Sequence, residues 1–320
     1  VDGSADTSVG GVRVDRTWWV DVLGARRDPR ATWRWTRDAT SPTGERSRHL
    51  EVTSYGTSLR CVLIEPPGGS RQVVVLPFYE VESLLGQPSP RRPPTSRESE
   101  RRGRAFGTHL LRRGVAVLAV PWWCEVEARA DGSREAGLEG RYGPPAAAHL
   151  ARVSRVGPTG YGRAIGDLST AVDALVAAEP ARVLTTFGHS LGGKLALGLA
   201  ALDERIQAAA LHEPGLGFAH SNWDAPWYLG DRVPTDRDLD GLLASIAPRP
   251  VLYVGGGLLP GSDSDASDGP SNVHLAESAR RRAGSDRWLR VLHHDAGHTP
   301  PPHVLEACYT WLLDHGGATR

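Results

Sequence analysis

The spacing of apolar residues along the chain alternates between that of buried strands and that of amphipathic helices. Short apolar or β-branched runs, which are typical of buried strands, occur at residues 72–76, 115–120, 182–187, 206–211, 250–254 and 288–292. Apolar residues three or four apart predict helices at residues 100–113, 161–179, 272–283 and 303–315. The pattern therefore predicts strands that alternate with helices.

A different pattern precedes these elements. Apolar and polar positions alternate in residues 49–54 and 58–65, which flank Tyr55-Gly56-Thr57 and predict an antiparallel hairpin. A hairpin followed by alternating strands and helices favours an α/β fold with a mostly parallel central sheet and helices on both faces. Residues 1–47, which are rich in arginine and tryptophan, are predicted to form an extension of short helices that wraps a domain spanning residues 48–320.

Three segments are too long to be simple connections. They are residues 81–99, 121–160 and 214–240. Each follows the carboxyl end of a predicted strand, which is the edge where open α/β sheets bind ligands. We interpret the third segment as a partial cap over a pocket. Trp122, Trp223 and Trp227 are candidates for contact with substrate; the alternative is that these rings only pack the loops.

Composition excludes several classes of function. The 320 residues include 37 basic and 37 acidic side chains, so a net charge of zero gives no reason to expect nucleic acid or an anionic membrane as a partner. The three cysteines are too few and too scattered for a disulfide framework. The polar N-terminal stretch lacks the pattern of a signal peptide, and no apolar run approaches the ~20 residues of a membrane span. We expect a cytoplasmic protein that acts on a small molecule, without cofactor or metal, because no such motif occurs.

The sequence GHSLGG at residues 188–193 has the context of a nucleophile elbow. It follows a predicted strand and precedes a run rich in alanine and leucine, so that Ser190 would stand at the tip of a sharp turn between strand and helix. Gly188 and Gly192 remove side chains where strand and helix crowd together. Ser190 is the candidate nucleophile, and a structural turn serine is the alternative. His189, beside it, is interpreted as structural.

A serine nucleophile needs a neighbouring base, and the base needs an orienting group. His298 is the candidate base, because it follows the last predicted strand and so falls on the same sheet edge as Ser190. The surrounding cluster could also be read as a metal site. That alternative is weaker because His293, His294 and Asp295 are consecutive and cannot share one face of a strand.

These features resemble the α/β-hydrolase superfamily of serine esterases, and in particular its dienelactone hydrolase and acetyl xylan esterase-like branch. The resemblance rests on the segments GHSLGGK, IAPRPVLYVGG, GHTPPP, VVVLPFYE and SNWDAPWYLG and covers roughly residues 48–320. It implies hydrolysis of a small carboxylic ester or lactone through an acyl-enzyme on Ser190, with His298 as general base. Two alternatives use the same fold: acyl transfer or cyclisation in a biosynthetic pathway, and non-catalytic ligand binding.

The resemblance also implies an oxyanion hole made of two backbone N–H groups. One should belong to Leu191, directly after the nucleophile and at the start of its helix. The second should follow the strand at residues 72–76, where Pro77 has no N–H to give. Tyr79 or Phe78 is therefore the expected second donor.

The orienting acid has two candidate locations. Relatives often carry it after the second strand beyond the elbow strand, where Asp268, directly before Gly269, fits best and Asp263 and Asp265 are further candidates. Glu213, one strand earlier, is the alternative. A carboxylate at the end of a buried strand is costly to bury without a purpose.

Overall fold

The computed structural model describes residues 16–78, 80–89, 103–130, 137–153, 157–256 and 269–316. Within these ranges the strands are β1 (Thr32–Thr40), β2 (Arg46–Ser54), β3 (Thr57–Glu65), β4 (Gln72–Pro77), β5 (Ala116–Val120), β6 (Val183–His189), β7 (Ile206–His212), β8 (Val251–Gly256) and β9 (Leu289–His294). The helices are α1 (Arg16–Leu23), α2 (Val81–Leu84), α3 (Phe106–Leu111), α4 (Trp123–Ala130), α5 (Leu138–Arg152), α6 (Gly160–Ala178), α7 (Leu191–Leu202), α8 (Asp240–Ala244), α9 (Gly269–Ala283) and α10 (Pro302–Gly316).

The strands of the described residues form one mixed sheet in the order β1-β2-β3-β5-β4-β6-β7-β8-β9. The first three strands and the pairing of β3 with β5 are antiparallel, while the pairings from β5 through β4 to β9 are parallel. Helices lie on both sides of the sheet. The α/β class, the opening hairpin and the mostly parallel centre predicted from the sequence are therefore confirmed.

Burial follows from this layering. Every residue of β4, β5 and β8 is buried, as expected for parallel strands covered on both faces. The side chains of α7 are buried from Leu191 through Ala201, so the helix that follows Ser190 lies in the interior of the molecule. A helix that is apolar on all sides is stable only in such a place.

The prediction of short helices for the N-terminal segment is wrong for residues 32–40. They form the edge strand β1, which pairs with β2 along its length. Since β2 begins at Arg46, the sheet continues across the boundary placed at residue 48. Ion pairs such as Arg34 with Glu51 join the two strands, and charges on an edge strand oppose pairing with another chain. The alternation of tryptophan and arginine in TWRW is the period of a strand.

Residues 121–160, which the sequence marked as too long for a simple connection without predicting an element there, contain α4 and α5. Helix α5 includes Gly143, Pro144 and Pro145, which are poor helix formers. Its buried face carries Tyr142 and Ala146, and this packing outweighs the low intrinsic propensity.

Candidate active site

Ser190 occupies the sharp turn between β6 and α7. Its backbone adopts φ 58° and ψ −124°, a conformation that is strained for any residue with a side chain. Two hydrogen bonds hold the turn: the Ser190 N–H donates to the carbonyl of His212 at 2.9 Å, and the Ser190 carbonyl accepts from the N–H of Lys194 at 2.9 Å. The serine side chain is partly exposed at the edge of the sheet.

The glycines around Ser190 are required by close backbone approach. A Cβ atom on Gly188 would overlap the carbonyl of Gly192 in the first turn of α7. A Cβ on Gly192 would lie 2.9 Å from the carbonyl oxygen of Pro77, and a Cβ on Gly193 would lie 2.6 Å from that of His212. Strand, turn and helix can be this compact only without these side chains.

His298 links the serine to a carboxylate. It lies between β9 and α10, and its Nε2 is 3.0 Å from the Oγ of Ser190. Its Nδ1 hydrogen-bonds the Oε2 of Glu213. Because a carboxylate can only accept, the proton of a neutral His298 resides on Nδ1, and Nε2 accepts from the serine hydroxyl. This is the arrangement in which an imidazole can take a proton from serine.

Glu213 reaches His298 from the end of the strand next to the elbow strand. It follows β7 with φ 48°, and its N–H donates to the carbonyl of Val254 at 2.8 Å. The side chain is fully buried, and a Cβ atom on Gly256 would overlap its Oε1. The missing side chain at the end of β8 therefore opens the path from β7 to His298.

The structure thus brings together Ser190, His298 and the alternative acid Glu213. Asp268, the acid favoured from the sequence, lies outside the described residues, as do Asp263 and Asp265.

The two expected oxyanion donors differ in what the structure says of them. Leu191 is the first residue of α7, where a backbone N–H has no partner within the helix. Phe78 is unsuited to the role, because its N–H donates to the carbonyl of Val120 at 3.1 Å and is engaged within the sheet. Tyr79, the other candidate for the second donor, lies outside the described residues.

The three tryptophans predicted to contact substrate are packed into the protein. Trp223 is fully buried, and its Nε1 donates to the carbonyl of Gly215 at 2.8 Å. Trp122 and Trp227 are nearly buried, and the Trp122 ring stacks on Tyr228 with 6.3 Å between centroids. In this conformation the rings stabilise the segments that carry them, and their contact with substrate stays a prediction.

Lys194, the only lysine of the chain, explains part of this packing. It lies one turn after Ser190 in α7 and is fully buried. Its Nζ donates to the Oγ of Ser221 at 2.5 Å and lies 4.2 Å from the centroid of the Trp223 ring. A cation over an indole face is stabilised by the charge distribution of the ring. Lys194 thereby links the segment at residues 214–240 to α7. This contact was not predicted from the sequence.

The side chains considered above as a metal cluster do not converge. His298 faces the serine, whereas His294 is buried and faces His212. Across the described ranges, no group of three His, Cys, Asp or Glu side chains is placed to hold a metal ion.

Neither a protein-family model nor a curated protein matches the chain. Solved structures do match. A glucuronoyl esterase from Solibacter usitatus aligns with a TM-score of 0.65 at 14% identity, over 94% of this chain and 92% of its own. A CE15 glucuronoyl esterase from Teredinibacter turnerae gives 0.64 at 18%, over 93% and 83%. The chain has the α/β-hydrolase fold.

A promiscuous CE15 esterase from a marine bacterial metagenome is similar to the same extent, with a TM-score of 0.63 at 13% identity, over 94% of this chain and 91% of its own. Identities this low establish the fold, and the narrower branch within it stays a prediction. No helix among the described residues has both the length and the apolar character needed to cross a bilayer.

Proposed function

We propose that the protein is a serine hydrolase that cleaves a small carboxylic ester or lactone. One observation carries the proposal: the two ring nitrogens of His298 contact the Oγ of Ser190 and the carboxylate of Glu213, at the turn and strand ends where the fold presents a nucleophile. The strained backbone of Ser190 supports it further, since such strain is commonly retained at functional sites.

Acylation uses these contacts in order. The Oγ of Ser190 attacks the ester carbonyl while its proton passes to Nε2 of His298. The imidazolium that forms is stabilised by the buried carboxylate of Glu213 through Nδ1–H. The negative charge on the carbonyl oxygen is held by the N–H of Leu191 and, in this proposal, that of Tyr79. One such donor typically contributes ~3 kcal/mol to the stability of the transition state.

Collapse of the tetrahedral intermediate completes the first half of the reaction. The bond to the leaving alcohol breaks, and the alcohol takes the proton from Nε2 of His298. A water molecule then gives its proton to the same nitrogen and attacks the acyl group. The carboxylic acid leaves, and Ser190 recovers its proton from His298.

The test uses a fluorophosphonate probe together with hydrolysis of p-nitrophenyl acetate. Labelling of the wild type and its loss in Ser190→Ala are expected. Ser190→Ala and His298→Ala should each lower kcat by ~10⁴ to 10⁶, and the double variant should be little worse, because these groups act as a unit. Ser245→Ala is the control, since this hydroxyl donates to the carbonyl of Leu242 in its own helical region, and the variant should leave activity unchanged.

A folded wild-type protein that neither reacts with the probe nor hydrolyses any ester would overturn the proposal and favour ligand binding without catalysis. A His298→Ala variant that keeps a tenth of the wild-type turnover would overturn the assignment of the base. The substrate panel should include a methyl glucuronate ester, because structures similar to this one belong to glucuronoyl esterases.

A further inference from the structure

Three buried histidines stand at the ends of the strands that carry the proposed triad. His189 is the last residue of β6, His212 of β7 and His294 of β9. The first two directly precede the proposed nucleophile and acid, and the third lies at the end of the strand that leads to the base. Their exposed fractions are 1%, 0% and 7%, so the rings are almost completely removed from water.

These rings are joined end to end by hydrogen bonds, and we call them the histidine chain. Nδ1 of His189 is 2.8 Å from Nδ1 of His212, and Nε2 of His212 is 2.9 Å from Nε2 of His294. Nδ1 of His294 accepts from the backbone N–H of Ala296 at 3.3 Å. The bond between His212 and His294 joins two strands that are not neighbours, because β8 lies between them.

The positions of the protons give the histidine chain a single direction of hydrogen-bond donation. A backbone N–H can only donate, so Nδ1 of His294 carries no proton and its Nε2 must carry the one proton of a neutral ring. That proton is donated to Nε2 of His212, whose own proton is then on Nδ1. His212 donates to Nδ1 of His189, which leaves the proton of His189 on Nε2. Each neutral ring therefore has one allowed tautomer.

Buried apolar side chains at these positions would have filled the same space without the desolvation cost of imidazole. The rings also touch the site itself, since the centroid of His189 is 4.7 Å from that of His298. A directed row of hydrogen bonds fixes the separation of strand ends more sharply than apolar contact does, because its energy depends on distance and angle.

We propose that the histidine chain is a positioning device for the triad: with all three rings neutral, it fixes the ends of β6, β7 and β9 so that the serine, acid and base meet in hydrogen-bonding geometry. This inference rests on the proposed function. In this proposal His189, His212 and His294 act through the triad and are positioning residues.

The charged and titratable neighbours favour the neutral state of the middle ring. Burial, above all, holds the pKa of His212 well below its usual value, and the nearby His294, His298 and Arg104 lower it further. A proton added to this ring would place two N–H groups head to head in one of its hydrogen bonds. The histidine chain can accept this proton only if one of its hydrogen bonds breaks.

The outer ring has a similar environment. Burial is the largest cause that lowers the pKa of His294, and His303 and His293 add to it, while Asp295 opposes them. His189 faces the rings of Phe106 and His298. At neutral pH, burial therefore favours uncharged rings at His212 and His294, close to a catalytic histidine that must itself become positive.

The first experiment reads the tautomers directly. Protein with ¹⁵N-labelled histidine is studied by long-range ¹H–¹⁵N correlation at pH 7. The expected result is three neutral rings protonated at Nε2 in His189, Nδ1 in His212 and Nε2 in His294. A charged ring, or any other tautomer at these positions, would overturn the inference, and the result does not depend on whether the protein is an esterase.

The second experiment compares His189→Leu with His189→Asn. Leucine removes the acceptor for His212, whereas the asparagine oxygen keeps an acceptor near the place of Nδ1 and cannot titrate. The leucine variant should lose 10- to 100-fold in kcat at unchanged KM, the size expected for a small misplacement of catalytic groups, and asparagine should recover most of it. The downfield proton of the His298–Glu213 hydrogen bond should shift or broaden in the leucine variant only.

Equal kcat and an equal downfield signal in the wild type and in a folded His189→Leu variant would overturn the positioning role. If His189→Leu does not fold, the wild-type tautomers and the kcat of His189→Asn still test the positioning role. A 10- to 100-fold loss of kcat in His189→Asn counts against the inference. Absence of probe labelling in the wild type would defeat the proposed function instead, and the downfield signal would still report whether the chain positions His298.

Discussion

Replacement of Glu213 by glutamine is the sharpest test of the site, because it keeps shape while removing charge. The carboxylate is fully buried and hydrogen-bonds Nδ1 of His298, whose Nε2 is 3.0 Å from the serine oxygen. In Glu213→Gln, the amide can present either its oxygen or its NH₂ group to Nδ1. If it presents NH₂, the histidine proton must move to Nε2, where it faces the serine and prevents proton transfer.

Two effects set the expected magnitude. A carboxylate ~4 Å from an imidazolium, at an effective dielectric constant of about 20, contributes about 4 kcal/mol, which corresponds to nearly three powers of ten in rate. The wrong tautomer adds to this loss, and the amide replacement of a triad acid typically costs ~10⁴ in kcat. We therefore expect kcat of Glu213→Gln to fall by about 10³ to 10⁴ with little change in KM.

The assay is the release of p-nitrophenolate from p-nitrophenyl acetate, with the circular dichroism spectrum as a check on folding. Asp268→Asn is the matched control, because this residue is the acid that sequence reasoning favoured. It should stay within a few-fold of wild type. A folded Glu213→Gln variant that retains more than a tenth of the wild-type kcat, beside a crippled Asp268→Asn variant, would refute the assignment of the acid.

Two further outcomes follow from the surroundings of the site. In Gly256→Ala the new Cβ would overlap Glu213, so kcat should fall about 100-fold. Gly143→Ala is the control and should have no effect, because a Cβ there meets nothing within 4 Å. Equal kcat values for the two variants would refute the clash at Gly256. Burial raises the pKa of Asp167 to about 6 despite the opposing charge of Arg163. The contribution of the Asp167 carboxyl to the free energy of unfolding is fully present below its unfolded pKa of about 3.9 and is lost as the pH rises through 6. In thermal scans, Asp167→Asn should therefore have a higher Tm than the wild type at pH 7.5 and the same Tm at pH 3.5. An advantage of the same size at both pH values would contradict the assigned cause.

The local pattern of the sequence was enough to predict the elements around the nucleophile. Residues 182–187 were predicted as the elbow strand, and the observed strand β6 ends at His189, directly before Ser190. Buried parallel strands and amphipathic helices carry a strong local signal, because each is apolar over a continuous run or at a fixed spacing. The elbow was also recognisable from the sequence, because the close backbone approach at residues 188 and 192 requires glycine at both positions.

Weaker local signals failed where packing decided the structure. Helix α5 contains Gly143, Pro144 and Pro145, and the burial of one face, which includes Pro145, outweighs their low helix propensity. Strand β1 is mostly exposed and charged, so it lacks the apolar run by which the other strands were found. In both places, contacts with distant parts of the chain outweigh intrinsic preference.

The choice between Glu213 and Asp268 shows the limit of the sequence most clearly. Each follows a strand predicted from the sequence, so the sequence predicts both at the edge that carries Ser190 and does not decide between them. The decision depends on which carboxylate reaches Nδ1 of His298, and that depends on the space left by Gly256 at the end of a third strand. Sequence determined the edge of the sheet where the chemistry lies, because strands that alternate with helices are parallel and their carboxyl ends meet at one edge. Tertiary structure brought Glu213 to His298, since hydrogen bonding requires distances that only the packed sheet sets.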